Sequence, residues 1–332
     1  MNSIGDDLAK GPARLPKDVQ NRLWLRIGLI AAATLATALA PELLPNLFFV
    51  HMVNLTLLSG ILALSLWIIY SVGQLSLSHA AFAGLGAYAS ALLSMQLALP
   101  PLLAVFLAGA LTAATAAALG TVILRLRGVY FVLVTFLFGQ MFTLVALNWQ
   151  SVTNGANGLI SIPAITFAGV SFGSRPMFLY LVSGAFMLTL LLTWALARSS
   201  WGRAFNAIQQ NIDLAESSGV DTARYQVYAF AIGSGIAGIG GALTAHYIRY
   251  ISPDSFTFHD SVAFITMLVV GGRSVFWGAV IGAAFLTPLP ELLRDFEGLQ
   301  LILFGAILIV ILRFLPGGLV SIPARLRSMG GK

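Results

Sequence analysis

The 332-residue chain has no cysteine, so disulfides, thiolate metal sites and cysteine nucleophiles are all excluded, and the redox state of its compartment is unreadable. Charge is scarce as well. Asp, Glu, Lys and Arg make up 9% of the residues, against about 25% in a soluble domain. No G-x-x-x-x-G-K-[ST] string occurs, which argues against ATP binding in the P-loop manner. No pair of its four histidines has metal-ligand spacing, so no metal site is expected. No nucleophile, base and orienting acid can be assembled either, which makes an intramembrane enzyme a poor reading. The carboxylates that an ion-coupled transporter buries in its spans are missing too. Glu42, Asp254, Glu291, Asp295 and Glu297 read as external loop residues, with only Asp260 at a span's edge.

What remains is 58% hydrophobic, an integral membrane protein. At about 20 apolar residues per span, the length accommodates about ten helices. Net charge is +6, with basic residues spread through loops rather than gathered into a nucleic-acid surface. Residues 1–26 carry five basic and three acidic side chains plus Pro12 and Pro16, too polar and acidic for a signal peptide, so they read as a cytoplasmic tail before an uncleaved span.

Ten spans follow: 27–50, 54–70, 80–99, 102–124, 129–147, 177–197, 226–247, 261–270, 276–285 and 299–312. The eighth and ninth are short and joined through Gly271-Gly272-Arg273, which marks either broken helices of the transporter kind or tilted spans whose ends lie further out. The expected class is therefore an all-α polytopic membrane protein with a permease domain over 27–322. A turn-rich external loop covers 148–176 and a cytoplasmic tail 323–332. With both termini cytoplasmic, 15 of the 18 Lys and Arg fall on the cytoplasmic side, leaving Arg175, Arg249 and Arg294 outside. His79 is expected at the cytoplasmic mouth of the third span, His246 near the outer end of the seventh, and His51 and His259 at external boundaries.

Small residues mark close helix packing, namely Gly84 and Gly86 in the third span, Gly235 and Gly238 in the seventh, and Gly278 and Gly282 in the ninth. Gly233 to Gly238 satisfies G-x-G-x-x-G, but inside an apolar span it reads as helix packing rather than a dinucleotide site. The spacing of Gly73, Ser76 and Gly84 repeats at Gly271, Ser274 and Gly282, through either internal duplication or coincidence in glycine-rich helices. Arg249, Tyr250, Pro253 and Asp254, in RYISPDSFTF, read as an external gate or docking surface for a solute-binding protein, or as an interfacial aromatic belt.

The most informative stretch is a polar island, 199–225. Phe205, Ile208, Ile212 and Ala215 recur there at helical spacing among polar residues, capped by Ser199 or Ser200 and ended at Gly219. Such a helix is either presented to a partner or covers the bundle in the headgroup layer.

Gly202-Arg203, Ala207-Ile208, Ala215 and Gly219-Val220 resemble the cytoplasmic-loop motif of permease subunits in bacterial ATP-binding-cassette (ABC) importers. GRAFNAIQQNIDLAESSGVDTARY, GGALTAHYIRYISPDSFTFHDSV and VVGGRSVFWGAVIGAAFLTPLPELL resemble, in that order, the M-type (LivM-like) permeases of branched-chain amino-acid importers. GQLSLSHAAFAGLGAYASALL and LRLRGVYFVLVTFLFGQM extend the resemblance over most of 57–322. Gln209-Gln210 departs from the basic residue followed by an acidic or polar one usual there. The resemblance implies an inner-membrane permease importing branched-chain amino acids or related small solutes, with urea and amides, or a self-sufficient transporter or channel, as rivals. It implies no cofactor in this chain, ATP bound by two cytoplasmic subunits, a second homologous permease, a periplasmic binding protein and surrounding lipid. Arg203 would pair with the ATPase, Phe205 and Ile208 would anchor in its groove, and Gly202, Ala207, Ala215 and Gly219 would shape the coupling helix.

Overall fold

The computed structural model describes residues 46–296, 298–315 and 317–322. Both tails, Glu297 and all but the last residues of the expected first span lie outside the described residues. The first helix, α1 (Leu47–Tyr70), starts where Asn46 Oδ1 accepts the Phe48 N–H at 3.0 Å. Val50 therefore belongs to this helix and not to a separate preceding span. It is followed by α2 (His79–Gln96), α3 (Pro101–Ile123) and α4 (Val129–Asn148). Pro101 suits the start of α3, because a first-turn N–H has no intrahelical acceptor.

The next stretch holds a short α5 (Gln150–Thr153), β1 (Leu159–Ile160), β2 (Thr166–Phe167) and β3 (Val170–Ser171), and it leads into α6 (Arg175–Arg198). Beyond it lie α7 (Ser200–Gln210), α8 (Ile212–Ser217) and α9 (Thr222–Ile248). Then come β4 (Tyr250–Ile251), α10 (Phe258–Gly271), α11 (Phe276–Leu286), α12 (Leu289–Leu292) and α13 (Gln300–Phe314). Among the described residues, strands form only two antiparallel pairs of two residues, β1 with β4 and β2 with β3.

Five of these helices, α1, α3, α4, α6 and α9, are long and apolar enough to cross a membrane. They correspond to the second, fourth, fifth, sixth and seventh spans expected from sequence. A sixth is reached if Pro253–Gly271 and Phe276–Leu292, bent by 114°, count as one broken span. The expected third, eighth and tenth appear as the shorter α2, α10 and α13, and the ninth as α11.

At the centre, α9 packs against α3, α2 and α1. Association inside a bilayer gains little from the hydrophobic effect, so close van der Waals approach has to supply it. A Cβ on Gly86 of α2 would land on the Gly238 backbone of α9, and one on Gly238 would meet the Thr112 side chain of α3. Gly235 lies under Ala113, 2.9 Å from where its Cβ would be, and Gly84 faces the Phe142 ring. Gly278 and Gly282 abut the backbones of Gly272 and Met267, closing α10 onto α11. The whole G-x-G-x-x-G string is helical, within α9.

Two elements begin inside the bundle. His79, at the start of α2, is fully buried, with Nε2 at 2.9 Å from Ser65 Oγ and 3.0 Å from Leu62 O. These acceptors precede the end of α1 by five to eight residues, or about 8–12 Å at 1.5 Å per residue. The chain thus turns at Gly73 (φ +78°) and runs back into the bundle through buried Gln74, Ser76 and Ser78 before α2 starts. Irregular backbone at this depth is tolerated because protein surrounds it. Ser261 Oγ of α10 accepts the Ala80 N–H at 3.0 Å, and the Phe258 ring meets Phe136 edge-on at 5.2 Å. Phe136 is about 10 Å up α4 from Val129. Phe258 and Ser261 therefore pack against α4 and α2, while His259 between them is exposed and Asp260 sits in the first turn of α10, in its capping box with Thr257.

Candidate functional site

The polar island folds as two helices, not one, because three side chains cap it in succession. Ser199 Oγ accepts the Gly202 N–H at 3.3 Å, Asn211 Oδ1 the Leu214 N–H at 3.1 Å and Asp221 Oδ1 the Arg224 N–H at 3.2 Å. Asn211 is extended (φ −161°, ψ 109°) and breaks α7 from α8. Gly219 ends α8 in the left-handed region (φ +84°), which lets the Val220 N–H reach Ala215 O at 3.1 Å. A side chain on Gly202 would run into the Leu196 and Ala197 carbonyls, so α7 turns sharply off α6.

Phe205, Ile208 and Ala215 are buried, at 2%, 4% and 4% exposure. The Phe205 ring packs edge-on against Tyr225 at 6.2 Å. This corrects the anchor role expected for Phe205 and Ile208, because their apolar face is satisfied by the protein's own bundle. The exposed face carries Arg203, Asn206, Ala207, Gln210 and Asp213, together with Leu214 at 64% exposure. Leu214 was not singled out from sequence, although its position off the Phe205–Ile208–Ala215 stripe was the available signal.

Three contacts fix the island to this end of the bundle. Gln209 Nε2 donates to Tyr70 O, the last residue of α1, at 2.9 Å. Arg127 Nη1, in the turn between α3 and α4, pairs with Asp213 Oδ1 at 3.0 Å. Thr222 Oγ1 donates to Glu216 Oε1 at 2.6 Å. Gln210 Nε2 donates to Asn206 Oδ1 at 2.6 Å, so Gln209 and Gln210 are both engaged locally. A cavity of about 210 Å³ beside α7 is lined by Trp67, Gly202, Gln209 and Arg273, which puts the α10–α11 turn at this same end. Trp67 Nε1 donates to Arg273 O at 3.3 Å.

At the opposite end the second group of residues is held within the fold. Arg249 ends α9 in the left-handed region (φ +60°), and its Nη2 donates to Gly173 O at 3.0 Å. Its own carbonyl accepts from the Ile162 N–H at 3.3 Å. His246, buried, lies between Pro163 O (2.7 Å from Nδ1) and Ser90 Oγ (2.8 Å from Nε2). Tyr250 and Asp254 are exposed, whereas Pro253 is buried and presents nothing to a docking partner.

Residues 48–312 match the family described as branched-chain amino acid transport system / permease component. The chain is similar to the high-affinity branched-chain amino acid transport system permease protein LivM of Salmonella typhimurium, 30% identical over 316 residues, covering 88% of this chain and 74% of that protein. The LivM protein of Escherichia coli gives the same identity and coverage, 30% over 316 residues. The autoinducer 2 import system permease protein LsrC of Salmonella paratyphi B is 32% identical over 134 residues, 38% of this chain and 39% of that one. No solved structure matches.

Proposed function

The chain belongs to the family of branched-chain amino acid transport system permease components, and from that premise we propose that it carries branched-chain amino acids inward. It is a multi-pass permease of a bacterial inner-membrane ABC importer for small solutes. The partners in this reading are a second, homologous permease, two cytoplasmic ATP-binding subunits and a periplasmic binding protein. ATP acts from those subunits, and this chain supplies the route and the lever.

The island end is cytoplasmic in this reading, and the chain crosses about ten times. Support comes from the α10–α11 hairpin, whose tip at Arg273 stands beside α7. The first expected span lies outside the described residues, and together with α13 it completes the ten and leaves both termini cytoplasmic. Arg249, Tyr250 and Asp254 then belong to the outer face.

The observation that carries the coupling reading is the two-sided construction of α7–α8. One face is buried on the bundle, and the other presents Arg203, Asn206, Gln210 and Leu214. Closure of the ATPase pair would press on that outer face, and the Gln209–Tyr70 bond would pass the displacement to the end of α1. Single cysteines at Gln210 and Leu214, in this cysteine-free chain, test it in native membranes. The expected result is crosslinking to the ATP-binding subunit that changes with ATP, with none from Phe205→Cys. Absence of crosslinks from either outward position, with the ATPase present, rejects the coupling assignment.

A further inference from the structure

A cavity of about 390 Å³ opens where the bundle meets the island. Its walls come from the end of α3, the turn that follows, α8 and the first turns of α9. Since α3 and α9 are both long and apolar enough to cross a membrane, the cavity lies where spanning helices leave hydrocarbon for headgroups. The aromatic side chains around it agree. Tyr228, on its wall, stacks on Trp201 at 5.1 Å, and both rings are exposed, as in the interfacial belt of membrane proteins.

Charge and hydrogen bonding in this cavity are incompletely satisfied. Arg125, Arg127 and Arg224 line it, against one carboxylate, Glu216. Glu216 accepts from the Thr222 hydroxyl and lies 3.9 Å from Arg127. Asp213 and Asp221, outside the lining, pair with Arg127 and Arg224, each at 3.0 Å. Arg125 has no acidic partner among the described residues. Gln226, at 4% exposure, lines the same cavity, and among the described residues its side-chain amide makes no hydrogen bond. A buried amide without a partner is costly.

An unpaired cation and a buried unpaired N–H donor on one cavity call for an oxyanion. Phosphate suits them, because its several oxygens accept from an arginine and an amide together. Leu124 and Val227 add an apolar wall, which a hydrated inorganic ion leaves uncovered and the glycerol and upper acyl carbons of a lipid cover. Basic pockets between spanning helices bind anionic headgroups in this way.

We propose that this cavity binds the phosphate of an anionic phospholipid, with Arg125 and Gln226 as donors and Leu124 and Val227 against the glycerol and upper acyl chain. Ile212 and Glu216 of α8 form another wall, so a lipid seated here holds the island against α3 and α9.

The test uses the full-length chain, purified in detergent and stripped of lipid, with native mass spectrometry as the readout. Phosphatidylglycerol, phosphatidylcholine and inorganic phosphate are the probes. Phosphatidylglycerol is expected to bind several-fold more tightly than phosphatidylcholine, whose choline group the arginines repel. Arg125→Gln and Gln226→Leu are each expected to weaken phosphatidylglycerol binding several-fold. Arg203→Gln, which removes an exposed arginine of α7 outside the cavity, is expected to leave it unchanged. Arg125 is itself exposed, so its variant keeps the test decisive if Gln226→Leu fails to fold. Equal binding of the two lipids, or binding untouched by Arg125→Gln, overturns the assignment. Inorganic phosphate that displaces phosphatidylglycerol at equal concentration identifies a soluble anion as the ligand and overturns the lipid. Expulsion of bound phosphatidylglycerol by added ATP-binding subunits makes the cavity a partner contact, which also overturns it. None of these outcomes depends on transport, so the importer reading stands or falls separately.

Discussion

Arg127 Nη1 donates to Asp213 Oδ1 at 3.0 Å, which joins the turn between α3 and α4 to the short helix α8. Arg127 Nη2 also lies 3.9 Å from Glu216 Oε1, the oxygen that accepts from Thr222. One polar chain therefore runs from that turn through α8 to the start of α9. Arg127, Asp213 and Glu216 are 56%, 78% and 49% exposed, and pairs in that setting contribute only about 0–1 kcal/mol to stability. What the chain of contacts offers instead is alignment of the island against the bundle. Arg127→Gln is expected to lower ATP-driven uptake several-fold while leaving thermal unfolding within about 2 °C of wild type. Swapping the charges, Arg127→Asp with Asp213→Arg, should recover uptake; a swap that recovers none would show the pair is incidental.

Leu214 and Phe205 separate the two faces of the island. Exposed Leu214 costs the isolated chain little when replaced, so Leu214→Asp should leave thermal stability unchanged and reduce co-purification of the ATP-binding subunits. Loss of a leucine contact of about 1.5–3 kcal/mol corresponds to roughly a tenfold or greater drop in affinity. Buried Phe205→Ala should instead destabilise the permease itself by about 3–5 kcal/mol. Equal effects of the two changes on stability would contradict this division.

Gln209 joins the island to the end of α1 through the hydrogen bond that its side-chain amide donates to Tyr70 O. Gln209→Ala is expected to preserve basal ATP hydrolysis by the complex and to weaken its stimulation by solute-loaded binding protein. A variant with full stimulation would remove this bond from the coupling route.

The α2–α9 crossing sets a steric limit. Gly86→Ala places a methyl on the Gly238 backbone, and overpacking of this kind costs about 1–3 kcal/mol. Gly184 on α6 has nothing within 4 Å of its would-be Cβ, so Gly184→Ala should be neutral or up to about 1 kcal/mol stabilising through helix propensity. The fraction of monodisperse protein surviving a heating series in detergent distinguishes them.

Apolar run length and proline placement made most helices readable from sequence. The spans expected at 102–124 and 129–147 are α3 and α4 to within a residue at each end, bounded by Pro100-Pro101 and by Gly128. Inward or outward sense was harder. The Phe205–Ile208–Ala215 stripe fits a helix docked on its own bundle as well as one docked on a partner, and only the burial of those side chains decides between them. The break at Asn211 was hidden because the apolar period continues across it. The start of α10 was hidden for a different reason. The polar run DSFTFHD has the composition of a surface loop, and only tertiary contacts, Phe258 with Phe136 and Ser261 with Ala80, reveal that the chain re-enters the bundle before becoming helical.

The cap opposite the island is fastened to one helix. His246 and Arg249, at the end of α9, bond to Pro163, Gly173 and Ile162, and β4 extends that fastening to β1. The β2–β3 hairpin protrudes from this cap on a two-residue turn, Ala168-Gly169, with both φ angles positive (+48° and +81°). Nothing lies within 4 Å of a side chain placed at Gly169. A fluorophore attached at that tip would move with the central helix while disturbing no packed contact, which offers an optical readout of the transport cycle from the end of the bundle opposite the island.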